Sequence, residues 1–233
     1  MFSQHVMPYR PNRPPAPSFG DAPPEQVAWW PSVGRMWTTA IVERIAGRHR
    51  LVRRLMAVVH TDIVSYSRLF WLDNFGTVAR LHDLRRRLFE PSIRHHHGRL
   101  VQTAGDSMLI TFDSISQAVR CAVAIQYALT VDSDVWPADR RMMMRVGVDL
   151  GDVIADGRDL HGDGIIIAVR LQSVCPPGGV CISRAVRDRA GDHLGMPCES
   201  LGQLALKNVA HPIEAFVLWP KSSPLRSLTG VTG

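Results

Sequence analysis

Two apolar runs, residues 99–104 and 107–113, are separated only by Gly105 and Asp106. A two-residue link with glycine first closes a β-hairpin, so these strands must be antiparallel neighbours and everything else has to pack around them. Before the hairpin the periodicity predicts a strand at 55–61 and a long helix over about 75–97. After it come a helix over about 114–131, a strand at 142–150, a turn at Gly151 and Asp152, and a short strand at 152–156. A helix over 163–174, a strand at 179–182, a helix over 183–191 and closing strands near 201–206 and 213–219 complete the pattern. The order β-α-β-β-α-β predicts an α+β, ferredoxin-like domain, an antiparallel-rich sheet with helices on one side. Pro91 removes a backbone donor inside the first long helix and should kink or divide it.

The pattern does not reach the N-terminus. Eight of the 16 prolines precede residue 32, so residues 1–37 read as a disordered or loosely packed proline-rich arm. Residues 38–50 read as a basic amphipathic helical lead-in, 51–220 as the folded domain, and 221–233 as a flexible tail. With 45% hydrophobic and 21% charged residues, the bulk of the chain is expected to be globular. The longest apolar runs, Leu55 to Val59 and Ile165 to Val169, fall far short of the roughly 18 residues of a membrane span. The start lacks a signal-peptide core, so a soluble, cytoplasmic protein is expected. Cys121, Cys175, Cys181 and Cys198 show no metal-site spacing and are expected to be buried thiols.

The net charge of +6 raises the possibility of a polyanionic partner. Much of the basicity is local, in the five arginines of residues 44–54 and in Arg85, Arg86 and Arg87. Neither run comes with a helix-turn-helix pattern or an aromatic RNA-binding signature, so both read as solvated faces and nucleic acid is an unlikely partner. The triplet His95, His96 and His97 points in three directions on a helix and reads as a solvated helix end.

Four residues stand out chemically. Asp62 closes an apolar strand, where a carboxylate is costly unless it meets a cation or hydrogen-bond donors. Asp106 sits at the hairpin tip; if the two strands are neighbours, both carboxylates meet at one edge, as a pair of Mg²⁺ ions held with a nucleotide phosphate requires. Two ordinary turn aspartates would give the same spacing. Asp159 lies in a glycine-rich loop and Arg170 follows on the next helix; taken singly, they also fit an Asx turn and a partly exposed arginine.

Together the segments AVVHTDIVSYSRL, GRLVQTAGDSMLITF, AVRCAVAIQ, RVGVDLGDVI, DLHGDGIIIAVRL, PPGGVCISRAV and LKNVAHPIEAF resemble the catalytic domain of the class III adenylate/guanylate cyclases, most closely its bacterial branch, in family order over about residues 51–219. The resemblance implies conversion of a nucleoside triphosphate to a 3′,5′-cyclic nucleotide and pyrophosphate, at a site shared by two domains and with two Mg²⁺ or Mn²⁺ ions. The family's metal aspartates fall on Asp62 and Asp106, with the Ile63 carbonyl as a further ligand. Its transition-state arginine falls on Arg170 and its triphosphate-binding lysine on Lys207. Of the pair that reads the base, Asp159 is kept, but Gln102 stands where adenylate cyclases carry lysine. Ile166 stands where the family has the asparagine that orients the ribose.

The expectation is therefore a metal-dependent adenylate cyclase acting on ATP, as a homodimer or paired with another cyclase domain, with activity reduced by Gln102 and Ile166. The alternative is a pseudocyclase, a dimerising or nucleotide-binding regulatory domain. A nucleic-acid module is the weakest reading.

Overall fold

The computed structural model describes residues 52–156, 159–191, 196 and 198–220. The expected proline-rich arm, helical lead-in and tail lie outside the described residues. Among those described, no helix is long and apolar enough to cross a membrane.

Strand β1 (Val52–Ile63) leads into helices α1 (Tyr66–Leu72) and α2 (Asn74–Leu84), a π-helical turn at Arg85–Phe89, and α3 (Glu90–His95). The hairpin β2 (Arg99–Ala104) and β3 (Ser107–Phe112) follows, then the long helix α4 (Ile115–Ser133). Next come β4 (Met144–Asp156), β5 (Asp159–His161), α5 (Asp163–Val174), β6 (Val180–Ser183), α6 (Arg184–Ala190), β7 (Cys198–Leu204) and β8 (Ile213–Leu218). The sheet runs β2-β3-β1-β4-β6-β8-β7, with β5 paired to β4. Every pairing is antiparallel except β4 with β6.

The helices cover both faces, which corrects the expectation of helices on one side. Ala57, Val59 and Ile63 of β1 pack in one core with α4 and with Val186 of α6. Met56 and Val58 point the other way and pack with Ala168 and Ile165 of α5. That two-sided burial explains why β1 reads as an unbroken apolar run with no alternation.

The expected turn at Gly151 and Asp152 does not exist, because β4 continues through both residues to Asp156. The glycines of β4 instead let α5 lie close on the strand. A Cβ at Gly151 would stand 2.6 Å from the Gly164 Cα, and one at Gly147 would strike the Ala168 carbonyl. The chain reverses after Asp156, where Asp156 pairs with Asp159.

The expected helix over 75–97 is divided, as Pro91 suggested, and an unforeseen helix α1 precedes it. Leu84 and Phe89 are both fully buried although they stand five residues apart. The π turn absorbs the extra residue, with Glu90 N–H bonded five residues back to the Arg85 carbonyl immediately before the proline. Strand β7 begins three residues earlier than expected and is bulged between Ser200 and Gly202.

Buried Gln126 of α4 donates from Nε2 to the carbonyls of Met144 (2.9 Å) and Gly179 (2.7 Å). The Val64 N–H donates to the Met143 carbonyl at 2.8 Å. The Met144 carbonyl also accepts from the Gly178 N–H at 2.8 Å, so these bonds tie α4, β4 and the loop before β6 together near the end of β1.

Candidate active site

Asp62 is the penultimate residue of β1. Its neighbours Thr61 and Ile63 are buried at 1% and 2% exposure on the α4 side, so strand alternation turns Asp62 toward the α5 side, in register with Arg145 of β4. Asp106 follows Gly105 in the two-residue turn that joins β2 to β3, which closes at the Ala104–Ser107 pair. Gly105 takes a positive φ of 59°, the conformation such a turn requires at its first position. Because β3 pairs with β1, the hairpin tip reaches the end of β1, and the Ile63 N–H donates to Asp106 Oδ2 at 3.1 Å.

The two carboxyl groups interact directly. Burial, then the charge of Asp106 and a hydrogen bond with it, push the Asp62 carboxyl up to about 6, against a smaller opposing pull from Arg145. Above about 6 the Asp62 carboxyl is ionised beside Asp106, a repulsion that a bound cation would relieve. His60, two residues earlier on the same face, is largely buried, and burial lowers its pKa against a smaller opposing effect of Gln172 of α5.

The donor set fits a hard divalent ion. Two carboxylates and the neighbouring Ile63 backbone supply oxygen ligands alone, as Mg²⁺ and Mn²⁺ prefer. Among the described residues no cluster of three or more His, Cys, Asp or Glu side chains could hold a metal. An ion here would therefore complete its shell with water and substrate phosphate, the habit of Mg²⁺ in phosphoryl-transfer sites.

The expected cationic residues meet elsewhere on the chain. Arg170, in the second turn of α5, donates from Nε to the Lys207 carbonyl at 3.0 Å. Leu206 is buried beside Leu171 in a separate apolar cluster, which seats the Leu206–Val209 turn against α5. The Lys207 side chain is exposed. One turn before Arg170, Ile166 is 45% exposed, so it fills no apolar pocket. Its neighbours Ile165 and Ile167 make the packing contacts on either side.

Gln102 is exposed on β2 just past a register shift, opposite Leu109. Asp159 is exposed at the start of β5. Among the described residues no hydrogen bond joins Gln102 or Asp159 to the acid pair or to Arg170. Asp159 pairs with Asp156, one residue past Ala155, which pairs with Val52 at the opposite end of β1 from Asp62. At about 3.3 Å per residue, that is on the order of 30 Å along the strand.

The structure thus joins Asp62, Ile63 and Asp106 in one group and Arg170 with Lys207 in another, and leaves Asp159 far from the first. The sequence reading missed Arg145, which stands across from Asp62. Its signal was the alternation of apolar residues in MRVGVDL, which puts Arg145 on the face opposite Met144 and Val146.

Residues 53–219 match the model of the adenylate and guanylate cyclase catalytic domain. The chain belongs to that family. A protein of Rhizobium meliloti (strain 1021) called "Putative adenylate cyclase 3" is 35% identical over 169 residues, 72% of this chain and 29% of that protein. This cyclase domain therefore corresponds to under a third of that relative's length. Among solved structures, an adenylate/guanylate cyclase/hydrolase from Silicibacter pomeroyi is 33% identical, with a TM-score of 0.68 over 73% of this chain and 99% of its own. The adenylyl cyclase CyaB from P. aeruginosa is 17% identical, with a TM-score of 0.63 over 72% and 95% of the two chains, and so shares the fold. The likeness to these structures bears out the expected α+β cyclase fold.

Proposed function

We propose that this domain converts ATP to 3′,5′-cyclic AMP and pyrophosphate for intracellular signalling in the cytoplasm, as a homodimer whose two equivalent sites each draw on both chains. The observation that carries the reading is the Asp62–Asp106 pair, two carboxylates pressed together at the end of an apolar strand in a chain of the cyclase family. A fold kept only for dimerisation has no use for so costly an arrangement.

In this reading Asp62, Asp106 and the Ile63 carbonyl hold two Mg²⁺ or Mn²⁺ ions. When bound, the ions favour the ribose 3′-alkoxide as nucleophile and offset charge on the triphosphate. The 3′ hydroxyl gives its proton to water as its oxygen attacks the α-phosphorus, the bond from that phosphorus to the α–β bridging oxygen breaks, and pyrophosphate leaves. Arg170 faces the charge developing on the α-phosphate, and Lys207 holds the triphosphate. Asp159 accepts from the adenine amino group, and Gln102 offers a donor and an acceptor to the ring edge. The distance along β1 between Asp62 and the end beside which Asp159 pairs supports a site completed by a second chain, because one nucleotide does not bridge it.

A pseudocyclase is the second reading, favoured by Ile166, an exposed apolar side chain one turn from Arg170 where a polar contact to the ribose is wanted. Cyclic nucleotide production by the purified chain, from ATP and from GTP with Mg²⁺ and with Mn²⁺, separates the two. Cyclic AMP formed in excess of cyclic GMP supports the enzyme, and no product under any condition supports the pseudocyclase.

A further inference from the structure

The three consecutive arginines at the π turn divide their work. Arg87 pairs with Asp83 at 2.6 Å and with Asp132 at 3.1 Å, and Arg86 pairs with Asp83 at 3.4 Å. These are exposed contacts on the helical layer itself. Arg85 makes no ion pair among the described residues. Its guanidinium instead donates from Nη2 to the Gly105 carbonyl at the tip of the β2–β3 hairpin, 20 residues away in sequence. Along the way it lines a groove with His82, Glu90, Leu100 and Thr103, between the helical layer and β2. Its Nε is buried and lacks a hydrogen-bond partner.

That carbonyl is the one next to Asp106. In a two-residue turn the central peptide groups fall outside the strand ladder, so the Gly105 oxygen has no partner within the ladder. The tip is therefore held from two sides, by the Arg85 guanidinium on the Gly105 carbonyl and by the Ile63 N–H on the Asp106 carboxylate. Ser107 Oγ, donating to the Ala104 carbonyl at 2.8 Å, tightens the turn but ties it to nothing else.

We propose that Arg85 is a positioning residue for Asp106, fixing the hairpin tip so that the Asp106 carboxylate meets Asp62 in the geometry a divalent ion needs. The π turn contributes to this role, because it keeps Leu84 and Phe89 both in the core on either side of Arg85 and so anchors the base of the long side chain. A cation spent on a neutral carbonyl, with one nitrogen buried and unpartnered, is costly for stability alone. The cost makes sense if the gain is a fixed ligand, since outer-shell partners of metal ligands are worth about 10- to 100-fold in metal affinity. The inference rests on the metal-dependent reading of the acid pair.

The test is Mn²⁺ binding to the full chain with ATP present, followed by electron paramagnetic resonance below the melting temperature. It compares wild type, Arg85→Met, Arg85→Lys and Arg86→Ala. Arg85→Met keeps the apolar stem and removes the donor, and should weaken Mn²⁺ binding by about 10-fold or more. Arg85→Lys, which can still donate to a carbonyl, should recover most of that loss, and Arg86→Ala should bind as wild type does. Should Arg85→Met fail to fold, Arg85→Gln, whose amide falls short of the tip, takes its place with the same expected loss. Amide exchange at Asp106 and Ser107 should quicken in the Met or Gln variant, while exchange in the core of β1 stays unchanged. Wild-type Mn²⁺ affinity in that variant, with an active wild type, overturns the role of Arg85 alone. Failure of the wild type to bind Mn²⁺ at all overturns the metal-dependent reading and this inference with it.

Discussion

Replacing Asp62 by asparagine should stabilise the chain in the absence of divalent ions while abolishing the proposed metal-dependent cyclisation. The Asp62 carboxyl is raised from 3.8 to about 6, by burial first and by Asp106 second. A raised acid binds its proton more tightly in the folded state, so its contribution to stability is fully present below about 3.8 and is lost as pH rises through about 6. At roughly 1.36 kcal/mol per pH unit the full shift would be worth about 3 kcal/mol. Partial exposure and coupling to Asp106 reduce that to on the order of 1–2 kcal/mol. An asparagine carries no charge and can donate to the Asp106 carboxylate, so it removes the penalty. For a domain of this size the gain at pH 7.5 corresponds to a melting temperature about 2–8 °C higher. The assay is thermal unfolding from pH 5 to 8 in EDTA, followed by circular dichroism. Wild type should lose stability between pH 5 and 7, and Asp62→Asn should lose less over the same interval. Added Mg²⁺ with ATP should raise the wild-type melting temperature more than that of the variant. An Asp62→Asn protein that melts at or below the wild-type temperature at pH 7.5 would show that the two carboxylates do not strain each other, and the reasoning from their proximity would fail.

Two further outcomes concern the nucleotide. Ile166→Asn should raise kcat by about 10-fold with a smaller change in KM, since oriented single donors act mainly at the transition state; at 45% exposure the new amide faces no burial cost, so a folded variant with unchanged kcat would move the assignment to a pseudocyclase. Gln102→Lys should raise the ratio of ATP to GTP turnover, because a lysine can donate to the adenine ring while Asp159 accepts from its amino group; a ratio that stays put in a working enzyme would show that this position does not read the base.

The hairpin was legible because its turn chemistry is local. Gly105 needs a positive φ, and the two flanking runs could pair only with each other. The acid pair was legible in part: a carboxylate ending an apolar strand signals a partner, and the order of strands supplied Asp106. Gly151 misled for a physical reason, since a glycine that admits a packed helix looks the same in sequence as one that admits a turn. Which face α5 covers depends on a long-range choice that no local pattern records, although the unbroken run Met56 to Val59 was its trace. The three arginines read as one solvated run because their targets, Asp83, Asp132 and the Gly105 carbonyl, lie in different elements. Arg145 and Arg85 both emerge only once strand register and helix placement bring distant segments together.

The shared site is tested most directly by mixing Asp62→Ala protein with Arg170→Ala protein. Each alone should be inactive, the first for want of a metal ligand and the second for want of the guanidinium at the α-phosphate. If each site takes its acids from one chain and its arginine from the other, a mixed dimer holds one site with both defects and one with neither. With free exchange at equal amounts, half of the dimers are mixed and each has one of two sites intact, so the mixture should recover about a quarter of wild-type cyclic nucleotide production per chain. A mixture that stays inactive, with both proteins folded and shown to exchange chains, would contradict a site built across two chains.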